Sequence, residues 1–108
     1  KNCDIIRAWH AHKQENKYFL VIQGAFQISA VKIDNFINPS KKLKPKNFFI
    51  KERTGDILQI PGGYANGFKA LYPNSILQIF SNSSLNKSIK DDFRYDYDYW
   101  NVWNEKNY

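Results

Sequence analysis

Residues 55–68 read GDILQIPGGYANGF, and this stretch decides where one predicted strand ends and the next begins. Pro61 has no backbone N–H and therefore ends the first strand. Gly62 and Gly63 tolerate positive φ values, so a turn is expected before the chain re-enters a sheet at Asn66. Considered alone, the stretch is as typical of an ordinary glycine-rich hairpin as of a functional motif.

Strand-like runs dominate the rest of the chain. Each is rich in Ile, Val, Phe and Tyr and is bounded by Gly, Pro, Asn or Ser, which is the composition expected of short β-strands. Closely spaced runs of this kind predict an antiparallel sandwich or barrel. The predicted strands span residues 4–9, 17–23, 25–34, 47–52, 56–61, 67–71 and 75–81.

Alternation within the third predicted strand indicates which side chains enter the core. Phe26, Ile28 and Ala30 have the same parity and are expected to share the core face. Gln27 and Ser29 have the opposite parity. We therefore expect these two polar side chains to point toward a wetter side of the sheet.

Two segments are predicted to form structures other than strands. Residues 38–47, NPSKKLKPKN, hold four lysines and two prolines and predict an exposed loop. A solvated loop is favoured there over contact with nucleic acid, so no nucleic-acid partner is expected. A helix is expected only around residues 85–92, where Asn82 or Ser83 can cap a short turn.

Composition restricts the function classes. In 108 residues with 17% aromatic side chains, one folded domain is expected and a disordered linker is excluded. The formal net charge of +6 favours anionic partners. The longest apolar run, residues 18–22, is far shorter than the roughly 20 residues that cross a bilayer, so no membrane partner is expected.

The terminal residues give two further expectations. Cys3 is the only cysteine, which excludes an intrachain disulfide and favours a reducing, cytoplasmic location. The sequence begins at Lys1 and contains no Met. We therefore expect that the native N-terminal residues precede the printed sequence.

The only two histidines lie close together in RAWHAHK, residues 7–13. If this segment is a strand, His10 and His12 project from the same face, as a pair of imidazoles must in order to share a pocket. Such a pair suits metal ligation or acid–base chemistry near neutral pH. The alternative is that both are surface histidines near the end of a strand.

Together, the histidine-containing segment (residues 7–13) and the glycine-rich stretch (residues 55–68) resemble the two motifs of the cupin superfamily. The resemblance implies an all-β fold, a cupin-type antiparallel jelly-roll barrel, with residues 1–108 as a single cupin domain. Asn66 stands where metal-binding cupins have a histidine ligand, so no metal is expected. The first motif is matched by His10, His12, Glu15 and Gly24, and the second by Gly55, Pro61 and Gly63.

Cupins that act on nucleotide sugars show a more detailed resemblance, over about residues 6–100. RAWHAHKQENKYFLVIQGAF (residues 7–26) and IPGGYANGF (residues 60–68) are similar to segments of dTDP-4-dehydrorhamnose 3,5-epimerases. The His-Ala-His portion also resembles sugar 3,4-ketoisomerases. Ser83 and Ser84 stand where the epimerases have a tyrosine, and their C-terminal aspartate has no convincing match after Trp100.

The resemblance implies roles for individual residues. His10 is the expected base that removes a proton next to a keto group, and His12 matches the second ketoisomerase histidine. Lys17 is expected to stabilise the enolate. Tyr64 or a tyrosine of the C-terminal tail is the candidate proton donor. The expected substrate-binding residues are Arg7, Gln23 and Asn66. Arg7 and His10 have opposite parity in a flat strand, so a bulge or a long reach of the arginine must be assumed.

The implied function is epimerisation of a nucleotide-linked 4-keto-6-deoxyhexose without a metal or other cofactor, in polysaccharide biosynthesis. A 3,4-ketoisomerase and a non-catalytic sugar-binding cupin are the alternatives, followed by a metal-dependent cupin oxygenase or isomerase. The expected partner is a nucleoside-diphosphate sugar, and the expected assembly is a homodimer.

Acidic and aromatic side chains alternate in residues 91–100, DDFRYDYDYW. We favour an edge strand or a wrap that covers one end of the barrel or a dimer interface. Stacking of these rings on a base or a sugar is the alternative.

Overall fold

A computed structural model describes residues 5–84, 87 and 90–104 of the chain. Seven strands correspond to the seven predicted ones, with shifted ends. An eighth strand, of two residues, lies at an edge of the larger sheet, within residues 91–100, for which an edge strand or a wrap was expected. In chain order the strands are β1 (Ile6–His12), β2 (Lys17–Gln23), β3 (Ala25–Lys32), β4 (Lys46–Lys51), β5 (Leu58–Ile60), β6 (Tyr64–Ala70), β7 (Ile76–Ser81) and β8 (Phe93–Arg94).

The strands form two antiparallel sheets. The larger has the order β4-β3-β6-β1-β8, and the smaller has the order β5-β2-β7. Strands that are distant in sequence are neighbours in both sheets. The antiparallel two-sheet architecture expected from the sequence is therefore confirmed.

One core fills the space between the two sheets. Phe19 and Val21 of β2 are buried against Phe26 and Ile28 of β3, with Ile60 of β5 closing the group. The predicted core parity of β3 is thus correct on this side. Burial of this apolar surface is the main stabilising contribution to the barrel.

A second core lies on the outer face of the large sheet, beneath the C-terminal segment. Trp9, Trp100 and Trp103 are almost fully buried there, and the Trp9 ring lies 5.3 Å from each of the other two. The indole N–H groups of Trp9 and Trp103 both donate to the carbonyl of Tyr97, at 3.2 and 3.1 Å. The predicted wrap therefore covers a sheet face rather than an end of the barrel.

The expectation that Gln27 and Ser29 point toward a wetter side of the sheet was wrong. Their relative exposures are 1% and 0%, because residues 93–104 cover the face that the alternation had assigned to solvent. The Gln27 amide donates to the Val102 carbonyl at 3.1 Å. The side chains of Gln27 and Ser29 also donate hydrogen bonds to the Asn47 side-chain oxygen. Hydrogen bonding offsets the cost of burying these polar groups.

The glycine turn begins the next strand earlier than expected. Gly63 has a φ of 92°, and its N–H donates to the His12 carbonyl at 2.8 Å, so β6 starts at Tyr64 rather than at residue 66 or 67. At Gly62 a Cβ atom would lie 2.6 Å from the Lys13 carbonyl oxygen. Gly62 is required by this close approach, and its φ is not positive.

The remaining segments largely follow the predictions. The lysine-rich segment is an exposed loop up to residue 45, and its last two residues already belong to β4. Lys87 and Lys90 are helical, whereas residues 85, 86, 88 and 89 of the predicted helix, like Cys3, lie outside the described residues. The cap is Ser84 rather than Asn82 or Ser83, since its hydroxyl accepts from the Lys87 amide at 3.3 Å. Within the described residues, no helix has the length and apolarity needed to cross a membrane.

We predict that Trp103→Ala lowers the free energy of unfolding by about 3–5 kcal/mol, because it leaves a cavity between the C-terminal segment and the large sheet. Urea denaturation measures the change. Ile37→Ala is the control, because Ile37 is 85% exposed and its truncation should change stability by less than about 0.5 kcal/mol. Equal effects of the two substitutions would contradict the burial of Trp103 in the second core.

Candidate functional site

A bulge at Trp9 decides which side chains of β1 face the barrel interior. Ala8 pairs with Gly67 and His10 pairs with Asn66, so Trp9 has no partner on β6. The additional residue reverses the alternation of the strand. Arg7, which lies opposite Phe68, therefore faces the same side as His10. Of the two alternatives expected from the sequence, a bulge or a long reach of the arginine, the structure shows the bulge.

The inner face of the large sheet carries most of the predicted site residues. The strand pairing places Asn66 directly beside His10, and Tyr64 directly beside His12. His10 is exposed and Asn66 is buried, so the pair lies at the boundary between solvent and core. One row across the sheet consists of Arg94, His10, Asn66, Ala30 and Lys46.

Lys17 reaches the same interior from the small sheet. It has the parity of Phe19 and Val21, both buried in the inner core. Its Nζ atom lies 2.8 Å from Oε2 of Glu15, and the hydroxyl of Ser81 donates to the same oxygen at 2.7 Å. The ammonium group is thus held in place at the end of the barrel that contains His12.

The Glu15 side chain is buried and lies next to both Lys17 and a histidine. Its Oε1 atom is 3.7 Å from Nδ1 of His12. The other oxygen of the carboxylate, Oε2, is already bound by an ammonium and a hydroxyl. Among the described residues, no group of three or more His, Cys, Asp and Glu side chains is arranged to hold a metal ion. The side chains in the described part of the chain therefore do not fit the metal centre of metal-binding cupins.

Asp91 positions His12 and the turn that follows it. The carbonyl oxygen of Asp91 is hydrogen-bonded to Nδ1 of His12. Since a carbonyl can only accept, Nδ1 carries the proton and Nε2 is the basic nitrogen of the neutral ring. The Asp91 carboxylate accepts backbone N–H groups of Lys13, Gln14 and Glu15 at 2.8, 2.9 and 3.3 Å.

These hydrogen bonds from backbone amides also favour the ionised form of Asp91. Burial by itself raises the pKa of the Asp91 carboxyl group, but the hydrogen bonds from Gln14, Lys13 and Glu15 outweigh it, and the net pKa lies below the ordinary value. An ionised carboxylate is the better acceptor for the three amides. The turn between β1 and β2 is therefore fixed at neutral pH.

His10 has an electrostatic environment that favours its neutral form. Partial removal of the ring from water lowers its pKa below the ordinary value, and the positive charges of Arg94 and Lys17 lower it further, against the opposing effect of Asp92. Arg94 and Asp92 form an ion pair at 3.0 Å. A histidine that is neutral near pH 7 is able to accept a proton.

Three residues of this site were missed in the sequence. Asp91, Asp92 and Arg94 are brought to the histidines by β8, which pairs with β1 so that Arg94 lies opposite His10. Strand β8 has only two residues, too few for alternation to be recognised. The acidic and aromatic pattern of residues 91–100 was a signal, but it did not indicate which strand the segment joins.

Gln23 is the one predicted site residue that the structure does not bring to this group. A second bulge between Val21 and Gln23 turns its side chain to the outer face of the small sheet. Its amide donates to the carbonyl of Asn74 at 2.6 Å. Gln23 also lies at the opposite end of β2 from Lys17, about 20 Å away in an extended strand.

We predict that the NMR titration of His10 has a midpoint below the ordinary value of 6.5. Arg94→Gln should raise this pKa and Asp92→Asn should lower it, because each removes one of the charges that act on the ring. Arg53→Gln, at a side chain that is 90% exposed, is the control and should leave it unchanged. A midpoint above 6.5 in the unaltered protein would contradict the proposed environment.

The same shift predicts a pH dependence of stability. The unfolded chain binds a proton at His10 more tightly than the folded protein does. The contribution of His10 to stability is therefore present above pH 6.5 and is lost as the pH falls through the lower folded pKa. Urea denaturation across this range should show a smaller loss in His10→Asn than in the unaltered protein, and an equal loss would exclude the linkage.

A further prediction concerns the tautomer of His12. At alkaline pH, ¹⁵N NMR should find Nδ1 protonated and Nε2 unprotonated. Asp91→Ala removes the carboxylate that fixes the Asp91 backbone and should produce a mixture of tautomers. Asp98→Ala changes an exposed carboxylate and should leave the tautomer unaltered. A protonated Nε2 in the unaltered protein would contradict the hydrogen bond to Asp91.

Comparison with known proteins finds similarity only among solved structures. No protein-family model and no curated protein sequence matches the chain. The capsular polysaccharide assembling protein CapF from Staphylococcus aureus is 20% identical over 83% of this chain and 24% of its own, with a TM-score of 0.65. CapF bound to the inhibitor 3-isopropenyl-tropolone has a TM-score of 0.66, again at 20% identity, over 83% of this chain and 25% of the other.

An enzyme structure shows the same architecture. Hydroquinone 1,2-dioxygenase from Sphingomonas sp. TTNP3, with 4-hydroxybenzoate bound, has a TM-score of 0.56 at 18% identity, over 70% of this chain and 52% of its own. The present chain spans about a quarter of the length of the CapF structures. These likenesses, together with the two antiparallel sheets, identify the fold as the cupin-type jelly-roll barrel that the sequence motifs implied.

Proposed function

We propose that this protein is an isomerase that removes a proton from a carbon next to the keto group of a nucleotide-linked 4-keto-6-deoxyhexose. The observation that carries the proposal is the position of His10, beside Asn66 on the inner face of the barrel and with its pKa lowered. A neutral imidazole near an ammonium group is suited to form and stabilise an enolate.

In the proposed first step, the imidazole of His10 accepts the proton as the C–H bond breaks. The electron pair of that bond moves toward the carbonyl carbon, and negative charge develops on the carbonyl oxygen. Lys17 supplies the positive charge for this oxygen, and Asn66 supplies an amide N–H. Arg7 faces the same interior and is assigned to the phosphate oxygens of the substrate.

Return of a proton completes the reaction. For epimerisation, a proton must reach the opposite face of the same carbon, and we assign this step to the Tyr64 hydroxyl. Tyr64 lies opposite His12 on the strand next to His10. Loss of its proton to the carbon is balanced by transfer from protonated His10 through solvent, which restores both groups.

A 3,4-ketoisomerase is the second candidate, favoured by the state of His12. Because Nδ1 of His12 is bonded to the Asp91 carbonyl, Nε2 is left to accept or deliver a proton. His10 and His12 on one face would then serve two neighbouring carbons. The two reactions share the enolate and differ in the carbon that receives the proton.

The similarity to CapF supports a role connected with sugars, since that protein is described as assembling capsular polysaccharide. The nucleoside-diphosphate sugar and the homodimer stay predictions, as does the alternative of a sugar-binding cupin without activity.

Incubation with dTDP-4-keto-6-deoxyglucose in deuterated water tests the proposal. We expect deuterium at the carbon next to the ketone, detected by NMR, together with a new sugar. His10→Asn should slow the exchange by about 10²–10⁴-fold, and Lys17→Met by about 10²–10³-fold. Lys44→Met is the charge-matched control in an exposed loop and should retain full exchange.

The sugar formed separates the candidate reactions. Inversion without movement of the keto group indicates the epimerase, and a 3-keto product indicates the ketoisomerase. Binding of the nucleotide sugar without exchange would overturn the proposed catalysis and favour the binding protein. Retained exchange in His10→Asn would exclude His10 as the base.

A further inference from the structure

A cleft between β4 and β5 lies on the side of the barrel away from β8. Its volume is about 210 Å³. Phe48 and Tyr64 contribute aromatic rings, Ile60 and Ala30 contribute apolar surface, and Lys46 contributes an ammonium group. Ligand-binding sites commonly combine a mainly apolar lining with a few polar groups in this way.

Lys46 is a cation available to a ligand. Its Nζ atom lies 5.5 Å from the centre of the Phe48 ring, which places the charge over an aromatic face. Among the described residues, no carboxylate lies within ion-pair distance of Lys46. An anion that enters the cleft would therefore not have to displace an internal partner.

The cleft has a defined position relative to the candidate site. His10, Asn66, Ala30 and Lys46 occupy one row on the inner face of the large sheet. Three strand spacings separate the first from the last, or about 14 Å. Tyr64 connects the two regions, because it lies opposite His12 and also lines the cleft.

The size of the cleft limits what it can hold. Sites for drug-sized molecules have volumes of about 300–1,000 Å³, so 210 Å³ suits one planar ring rather than a whole nucleotide sugar. Aromatic walls favour a flat ring by stacking, and Lys46 favours a negative charge attached to it.

We infer that this cleft binds a planar ring that carries an anionic group. Two sources share this chemistry: the base and nearest phosphate of a nucleotide, and a free aromatic carboxylate. The nucleotide source rests on the proposed function, since it would place the reacting sugar toward His10. Binding of a ring-bearing anion does not itself depend on catalysis.

Titrations of the ¹⁵N-labelled protein followed by NMR test the inference, with UMP, 4-hydroxybenzoate and inorganic phosphate as probes. The two ring-bearing anions should shift the amide signals of Ala30, Phe48 and Tyr64. Inorganic phosphate should bind at least about tenfold more weakly, because it cannot stack. Tighter binding of UMP assigns the cleft to a nucleotide, and tighter binding of 4-hydroxybenzoate assigns it to an aromatic carboxylate.

Lys46→Gln and Lys44→Gln form a matched pair, since each removes one positive charge from an exposed position in the same part of the chain. Lys46→Gln should weaken the ring-bearing probes by about tenfold or more, and Lys44→Gln should have little effect. The inference is overturned by an equal loss in both variants, by phosphate binding as tightly as the rings, or by the absence of shifts at the cleft.

The deuterium-exchange experiment distinguishes failure of this inference from failure of the proposed function. Ring-anion binding at the cleft without exchange of the sugar overturns the proposed catalysis alone. Exchange that is normal in Lys46→Gln, with an unchanged KM for the nucleotide sugar and no probe binding at the cleft, overturns this inference alone.

Discussion

The position of Trp9 is the constraint on which the rest of the structure depends. Its backbone exchanges two hydrogen bonds with Tyr95, at 2.8 and 3.1 Å, in place of a partner on β6. Its fully buried ring lies between Trp100 and Trp103 on the outer face of the large sheet. Because Trp9 is the bulged residue, the same contacts that attach the C-terminal segment also turn Arg7 to the face of His10. Packing on the outside of the sheet thereby determines the chemistry available on its inside.

The two histidines lie in different environments although they are only two residues apart. His10 lies at the boundary between solvent and core, where partial removal from water and neighbouring cations lower its pKa. His12 is buried, and the Asp91 carbonyl fixes the proton on its Nδ1. Two imidazoles on one face of β1, with one fixed by a hydrogen bond and the other accessible to a substrate, can be assigned different parts of one proton transfer. The proposed ketoisomerase would use this difference, whereas the proposed epimerase assigns the return of the proton to Tyr64.

Local sequence patterns predicted the elements better than their contacts. The strands, the shared face of His10 and His12, and the positive φ at Gly63 follow from alternation and residue type, which act over a few neighbouring residues. The orientation of Gln23 depends on a bulge in the pairing of β2 with β7, and the burial of Gln27 depends on Val102, far away in the chain. Asp91 and Arg94 reach the site through a strand too short to have a periodicity. Each of these errors concerns a contact between distant segments, for which a single sequence provides no direct signal.

Amide hydrogen exchange at Trp9 and Tyr95 tests most directly whether the C-terminal segment is part of the barrel and holds the site together. The account predicts that both amides are protected to a degree similar to the amide of Phe68 in the centre of the large sheet, because opening them requires removal of the segment that covers the second core. Exchange of Trp9 and Tyr95 at the rate of unprotected amides, while Phe68 stays protected, would show that the segment is not bound there. That result would contradict both the assignment of Asp91, Asp92 and Arg94 to the site and the explanation given for the pKa of His10.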